Sequence, residues 1–265
     1  MGKLIDLEDE EIVNPIDPAL PEDEKIKALQ AFSRENEPAI QALLDNIDSK
    51  YGTESKTSHK EPQAISDKAN RQSIKDIKPW HDVEHIRDSF RFKTVLKDLE
   101  DLPKIAEQIR EADIEVIKTD TEKVLEPGPW GWRIVVFDLR MPNGQLVEYY
   151  LPVEEMEQAK KDGNHDLFEK WRNVDTEQLS DSQQEQYQNA LEQSSEKYDC
   201  AWQNYLDRTR QKPERLKEVL EKTERIFEKP KVKDIEKPAP EKKPSKLIEK
   251  LRQQKEKSKE DDLMR

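Results

Sequence analysis

Apolar positions along this chain recur first at helical spacing, then in short strand-like runs, then at helical spacing again. From Pro21, followed by Glu22, Asp23 and Glu24 where acids favour the positive end of a helix, Ile26, Leu29, Ile40, Leu43, Leu44 and Ile47 recur at three and four residues. That spacing predicts a helix ending at Tyr51-Gly52, with a kink at Pro38. A polar stretch over 53–61 and Pro62 lead to a second helix over 64–77. Residues 89–96, rich in aromatic and β-branched side chains, read as a strand. Asp101-Leu102-Pro103 opens a helix with Ile105, Ile109 and Ala112 on one face, and 114–118 is a short strand.

The most apolar run is 133–140, and Pro142-Asn143-Gly144 joins it to 146–153 as a hairpin, because Asn-Gly accepts the positive φ of a tight turn. Beyond Glu154 the pattern is helical over 154–161, 165–172, 177–209 and 213–229. Tyr187, Leu191, Tyr198, Trp202 and Tyr205 share one face of the longest segment, a spacing that suits core packing. Prolines among lysines mark a stiff linker over 230–245, and a short helix is expected over 246–257. Helices, then strands, then helices make an α+β fold with a mixed β-sheet of four or five strands flanked by helices and extended by long C-terminal ones. Four segments are expected: an acidic extended lead-in over 1–20, the α+β domain with its N-terminal helix over 21–173, a helical extension over 174–229, and a basic Pro/Lys-rich tail over 230–265.

Composition narrows the function classes. The 265 residues are 40% charged and 33% hydrophobic, too polar for one globule from end to end. No run of about 18 apolar residues occurs, so no membrane span is expected, and Met1 to Glu11 lacks the basic-then-apolar order of a signal peptide. Cys200 is the single cysteine, which excludes a disulfide framework and a thiolate zinc site and suits the cytoplasm. The net charge of −13 is uneven: residues 207–265 hold 20 basic and 14 acidic groups, leaving −19 on residues 1–206. So acidic a body would repel phosphate backbones, and DNA is not an expected partner. The basic tail reads as a solvated segment, with an anion or RNA as the other reading.

Two carboxylates carry the chemistry. Asp88 immediately precedes the strand over 89–96, and Glu148 lies inside an apolar strand, where a buried charge needs a cation or a donor beside it. On neighbouring strands the pair would make a two-carboxylate magnesium site, whereas strict alternation would turn Glu148 to solvent. Trp130 and Trp132 stand in a Pro/Gly-rich loop over 126–132, where they read as a hydrophobic plug. His81 and His85, with Glu84 between them, could share a helix face toward zinc or simply be solvated, since no third ligand is evident. His165 and Glu169 read as a helix-end pair, and Cys200 as a small packing residue.

Residues 52–173 resemble the synthetase domain of the RelA/SpoT family, pyrophosphokinases that make (p)ppGpp on a nucleotidyltransferase-like fold. Four segments carry the resemblance in order: the basic segment from Gly52 to Lys68, containing Lys56 and Lys60; Ile86-Arg-Asp88-Ser-Phe-Arg-Phe-Lys93 with Asp101-Leu-Pro following; Gly131-Trp132-Arg133 before a β run; and Pro142-Asn-Gly through Glu148 to Met156. The resemblance implies that Asp88 holds Mg²⁺ on the triphosphate of ATP, with Lys56, Lys60 and Lys68 neutralising its oxygens. Glu148 would complete the metal site or take the proton of the acceptor hydroxyl, Trp132 would stack on a base, and Lys93 and Arg133 would also contact substrate. The sequence departs from the family's pattern on the acceptor side. Lys93 replaces an arginine, Ile134 and Val136 stand where Ser and His are expected, and Tyr149-Tyr150-Leu151 or Tyr150-Leu151-Pro152 replaces Gln-Ile-Arg. Three functions follow: Mg²⁺-dependent pyrophosphate transfer from ATP to a nucleotide or RNA 3′-hydroxyl, a non-catalytic relative that binds, and a helical protein that docks a partner through 177–209.

Overall fold

In the computed structural model, the described residues are 12–112, 114–172 and 174–228. The first helix, α1 (Glu22–Tyr51), buries Ile26, Leu29, Ile40, Leu43, Leu44 and Ile47, the positions its periodicity selects. It runs on through Pro38, which removes one backbone donor without ending the helix. Gly52 closes it at φ +63°, with its N–H donating to the Asp48 carbonyl at 2.8 Å.

Strand β1 (Glu54–His59) follows, then α2 (Pro62–Ala69) and the single turn α3 (Gln72–Lys75). The continuous helix expected over 64–77 is interrupted at Asn70 and Arg71, whose backbone leaves the helical region. The Asn70 side chain donates to the Ser66 carbonyl at 3.1 Å and to the Glu22 carboxylate at 3.2 Å, an alternative to the helical ladder. Next come β2 (Phe90–Val95), α4 (Leu102–Glu111), β3 (Glu115–Asp120), the single turn α5 (Glu122–Leu125), and the hairpin of β4 (Val135–Arg140) and β5 (Leu146–Leu151). Gly144 takes φ +87° in the hairpin turn, as Asn-Gly requires.

The sheet is mixed, in the order β1-β2-β5-β4-β3. Strands β2 and β5 run parallel and every other neighbouring pair antiparallel. One face carries Phe90, Phe92, Val147, Tyr149, Leu151, Val135, Phe137 and Leu139, all buried. They pack in one cluster with α1 and with Leu102, Ile105 and Ile109 of α4.

The C-terminal helices α6 (Glu154–Ala159), α7 (His165–Trp171), α8 (Asp181–Thr209) and α9 (Pro213–Phe227) complete the chain. Gly163, at φ +94°, separates α6 from α7. A Ser180–Gln183 capping box starts α8 at residue 181, a turn later than its pattern suggests. Tyr198, Ala201 and Tyr205 of α8, with Leu216, Val219 and Leu220 of α9, enter the same buried cluster as the sheet. Of the stripe on α8, Tyr198, Trp202 and Tyr205 pack in the chain's own core, while Tyr187 lies edge-on to Trp130 and Trp171. The Tyr205 hydroxyl accepts from the Leu99 N–H at 3.1 Å and lies 3.1 Å from the Asp98 carboxylate.

At the other end, Asn14 is fully buried. Its amide donates to the Glu84 and Ile86 carbonyls and accepts from the Leu146 N–H, joining the lead-in to β5. Residues 1–11 of the lead-in, the expected linker over 230–245 and the expected helix over 246–257 lie outside the described residues. Among the described residues no helix is long and apolar enough to cross a membrane.

Gly131 fixes the 126–132 loop against α8. At φ +80°, an added Cβ would stand 2.8 Å from the Ser195 Cα and 3.2 Å from the Tyr198 Cβ. Gly163 has a similar φ but open space around it. Gly131→Ala should therefore cost about 2–4 kcal/mol in urea unfolding, and Gly163→Ala about 1–2.

Candidate active site

On the face of the sheet opposite the core, the period of two lines up polar residues in rows. Ser58, Arg91, Glu148, Asp138 and Lys118 are register partners across all five strands. The adjacent row holds Lys56, Lys93, Tyr150, Val136 and Asp120. Side chains in a row lie about 5 Å apart at Cβ, so this face concentrates charge that the opposite face cannot hold. Arg91 Nε donates to Ser58 Oγ at 3.2 Å, and Arg87 Nη1 donates to Asp138 Oδ2 at 2.6 Å. The Tyr150 hydroxyl donates to Glu148 Oε2.

Asp88 enters this site from the end of β2. The Lys60 N–H donates to the Ser89 carbonyl at 2.8 Å, which brings its ammonium to Asp88 Oδ2 at 2.9 Å. Lys68, in the last turn of α2, places Nζ 2.8 Å from Oδ1, an ion pair in which Oδ1 accepts no aligned hydrogen bond. Burial alone would raise the Asp88 pKa, but Lys68 and Lys60 outweigh it and hold the carboxyl down at about 2. Glu148 is shifted the other way: burial raises its pKa and the charge of Asp88 adds to the rise, against the lowering effects of Lys68 and the Tyr150 hydroxyl. Two neighbouring carboxyls are thus driven apart in proton affinity, the pattern of paired acids with different roles.

Two cavities flank this pair. The larger, about 340 Å³, is lined by Trp130, Trp132, Tyr198, Arg91, Lys93 and Tyr150 among others. Trp132 meets Tyr198 edge-on at 5.1 Å, with Lys160 Nζ 5.5 Å from its ring centre. Burial lowers the Lys160 pKa. Trp130 packs edge-on to Phe168 and Tyr187, so the loop both anchors on the helices and walls the cavity. Lys93 is paired with the buried Glu157. The smaller cavity, about 190 Å³, is lined by Lys68, Glu148, Trp80, His81, His85 and Arg87 among others.

Of the residues selected from sequence, Asp88, Lys60, Lys68 and Glu148 come together, and Trp132 and Lys93 line the larger cavity. Lys56 lies apart, exposed on β1 opposite Lys93, roughly 13 Å along the strand from Lys60. Arg133 lines neither cavity. Its guanidinium donates to the Val124 and Leu125 carbonyls and to Asp199 of α8, over the Trp202 ring. Sequence reasoning passed over Tyr150, Arg91 and Asp138, although strand parity with Glu148 and register would have selected them. It also passed over Lys160 and Trp80, for which no comparable signal exists.

His81 and His85 do not share a helix face. His85 ends a 3₁₀ turn (Val83–His85), and the two ring centres are 5.8 Å apart. Among the described residues no group of three or more His, Cys, Asp or Glu is placed to hold a metal ion. Magnesium commonly takes only one or two carboxylates together with substrate phosphates. An ionised Asp88 with Oδ1 lacking a hydrogen bond, beside Glu148, fits that requirement.

No protein-family model and no curated protein matches the chain. Among solved structures, the small alarmone synthetase 2 from Bacillus subtilis is similar with a TM-score of 0.50 and 16% identity, over 69% of this chain and 97% of that one. The fold is RelA/SpoT-like. The Type VI effector Tas1, solved in complex with its immunity protein, is similar at TM-score 0.48 and 18% identity over 68% of this chain and 97% of its own. A GTP pyrophosphokinase family protein from Streptococcus pneumoniae is similar at 0.46 and 16%, over 72% and 97%. At these identities the likeness concerns the RelA/SpoT-like fold alone.

The depressed pKa of Asp88 makes its ion pairs a pH-dependent contribution to stability. The group stabilises the folded state above its unfolded value of 3.8, and the contribution is lost as pH falls through about 2. Urea unfolding should find Asp88→Asn weaker than the parent chain at pH 7, by on the order of 2 kcal/mol, with the gap closing between pH 4 and pH 2.

Proposed function

We propose that this chain transfers pyrophosphate from ATP to the 3′-hydroxyl of a nucleotide or an RNA. The observation that carries this reading is the junction of the two cavities. Glu148 lines the smaller, Tyr150 lines the larger, and a hydrogen bond joins them. Both cavities are lined by cationic and aromatic side chains, the combination that binds phosphates and stacks bases.

In this reading ATP occupies the smaller cavity with its phosphates toward Lys68, and Lys60 and Lys68 exchange Asp88 for phosphate oxygens. Asp88, with Glu148 beside it, would hold Mg²⁺, which supplies neutralisation of the triphosphate charge. The acceptor lies in the larger cavity with its base against Trp132 and its anionic groups toward Arg91, Lys93 and Lys160. Glu148, raised in proton affinity by burial, takes the proton of the acceptor hydroxyl, and the Tyr150 hydroxyl orients it. The RelA/SpoT-like fold supports this kind of activity.

A second reading, a module that binds nucleotides without transferring, is favoured by one observation. The cations at the centre are already paired, Lys60 and Lys68 with Asp88 and Lys93 with Glu157.

Incubation with β-labelled ATP, Mg²⁺ and GDP, GTP or tRNA decides between the two. Label should pass to an acceptor with release of AMP, and Asp88→Asn and Glu148→Gln should each reduce transfer by at least about 100-fold. Binding of ATP without transfer to any acceptor would favour the second reading. Trp132→Ala should raise the KM for the acceptor about tenfold and leave that for ATP unchanged, the loss expected for one base–aromatic stack.

A further inference from the structure

Three of the residues lining the smaller cavity are rings close to one another. Trp80 and His85 have ring centres 4.7 Å apart, and His81 lies 6.4 Å from Trp80 and 5.8 Å from His85. Lys78 Nζ stands 5.4 Å from the Trp80 ring centre. His81 is the buried member, 8% exposed, and its Nε2 is buried with no hydrogen-bond partner. Polar atoms in folded interiors are nearly always paired, so an unpaired, buried ring nitrogen in a residue that lines a cavity marks a place for a ligand atom.

We propose that His81 reads the nucleobase of the donor nucleotide, hydrogen-bonding its edge through Nε2 while the Trp80 and His85 rings pack against it. This rests on the reading above, in which the smaller cavity holds ATP. Burial, then the charges of His85, Lys68 and Lys78, lower the His81 pKa to about 4, so the ring is neutral near pH 7. A neutral imidazole nitrogen donates or accepts according to its tautomer, which suits the edge of a base. The cavity is smaller than the 300–1,000 Å³ that usually encloses a whole ligand, so it suits one end of a nucleotide. Among its other lining residues, Lys68 and Glu148 mark the direction in which the phosphates would leave.

Calorimetric titration of the full chain with Mg²⁺-ATP and with Mg²⁺-tripolyphosphate separates base from phosphate recognition. In the parent chain ATP should bind at least about tenfold more tightly than tripolyphosphate, the ratio that one good hydrogen bond and a stack provide. His81→Phe should weaken ATP about tenfold and tripolyphosphate less than about twofold, and His81→Gln, whose amide reaches the place of Nε2, should restore most of the loss. Three outcomes would overturn the proposal: equal affinity of the parent chain for both probes, an unchanged ATP affinity in His81→Phe, or parallel losses of both probes in that variant. If His81→Phe does not fold, a tenfold loss of ATP affinity in a folded His81→Gln overturns it. A parent chain that binds neither probe would instead remove the functional reading on which it stands.

Discussion

Three register pairs, Arg91 with Glu148, Phe92 with Tyr149 and Lys93 with Tyr150, join β2 to β5 in parallel, and the site is built around that seam. Parallel strands cannot be joined by a tight turn, so the chain between them supplies α4, β3, α5 and β4 before returning. The pairing sets a fixed parity. Phe92 and Tyr149 enter the core with Thr94, whose hydroxyl lies 2.7 Å from that of Tyr149. Arg91, Lys93, Glu148 and Tyr150 must then stand on the other face. A register slip of one residue would bury the charges and expose the aromatics, so the hydrophobic core determines where the chemistry can be.

The electrostatics follow from scarcity. A body with a net charge of −19 has little positive charge to offer an anionic substrate, and the site gathers Lys60, Lys68, Arg87, Arg91, Lys93 and Lys160 within two cavities and the seam between them. Its central lysines do not wait unpaired. Asp88 holds Lys60 and Lys68, and Glu157 holds Lys93. Such pairing offsets the cost of burying each charge, and in the proposed reading a triphosphate would bind by exchanging partners. In that reading, competition for Lys60 and Lys68 between Asp88 and phosphate is where catalysis and mere binding would diverge.

Much of this was legible in the residues. Aromatic and β-branched enrichment marked β2, the most apolar run marked β4, the Asn-Gly turn marked the hairpin to β5, and a carboxylate inside an apolar strand singled out Glu148. Strand parity carried further than it was taken, because Tyr150 is two residues beyond Glu148 on the same face. What was not legible depends on contacts distant in sequence. Arg133 reads as a substrate cation, yet Asp199, 66 residues away, and the α5 carbonyls claim it. Lys56 belongs to the same basic segment as Lys60 but sits two rows away, with Thr57, Ser58 and His59 between them. The break at Asn70 depends on Glu22, and the wall that α8 gives the larger cavity depends on Gly131 leaving no room for a side chain.

The central claim is that the phosphates of a donor nucleotide displace Asp88 from its two lysines at the Glu148–Tyr150 junction. A crystal structure of the chain with Mg²⁺ and a non-hydrolysable ATP analogue tests it most directly. The account predicts the triphosphate beside Asp88 and Glu148, with Lys60 and Lys68 within about 3 Å of phosphate oxygens and no longer on Asp88. An analogue bound elsewhere, with both lysines still paired to Asp88, would contradict it.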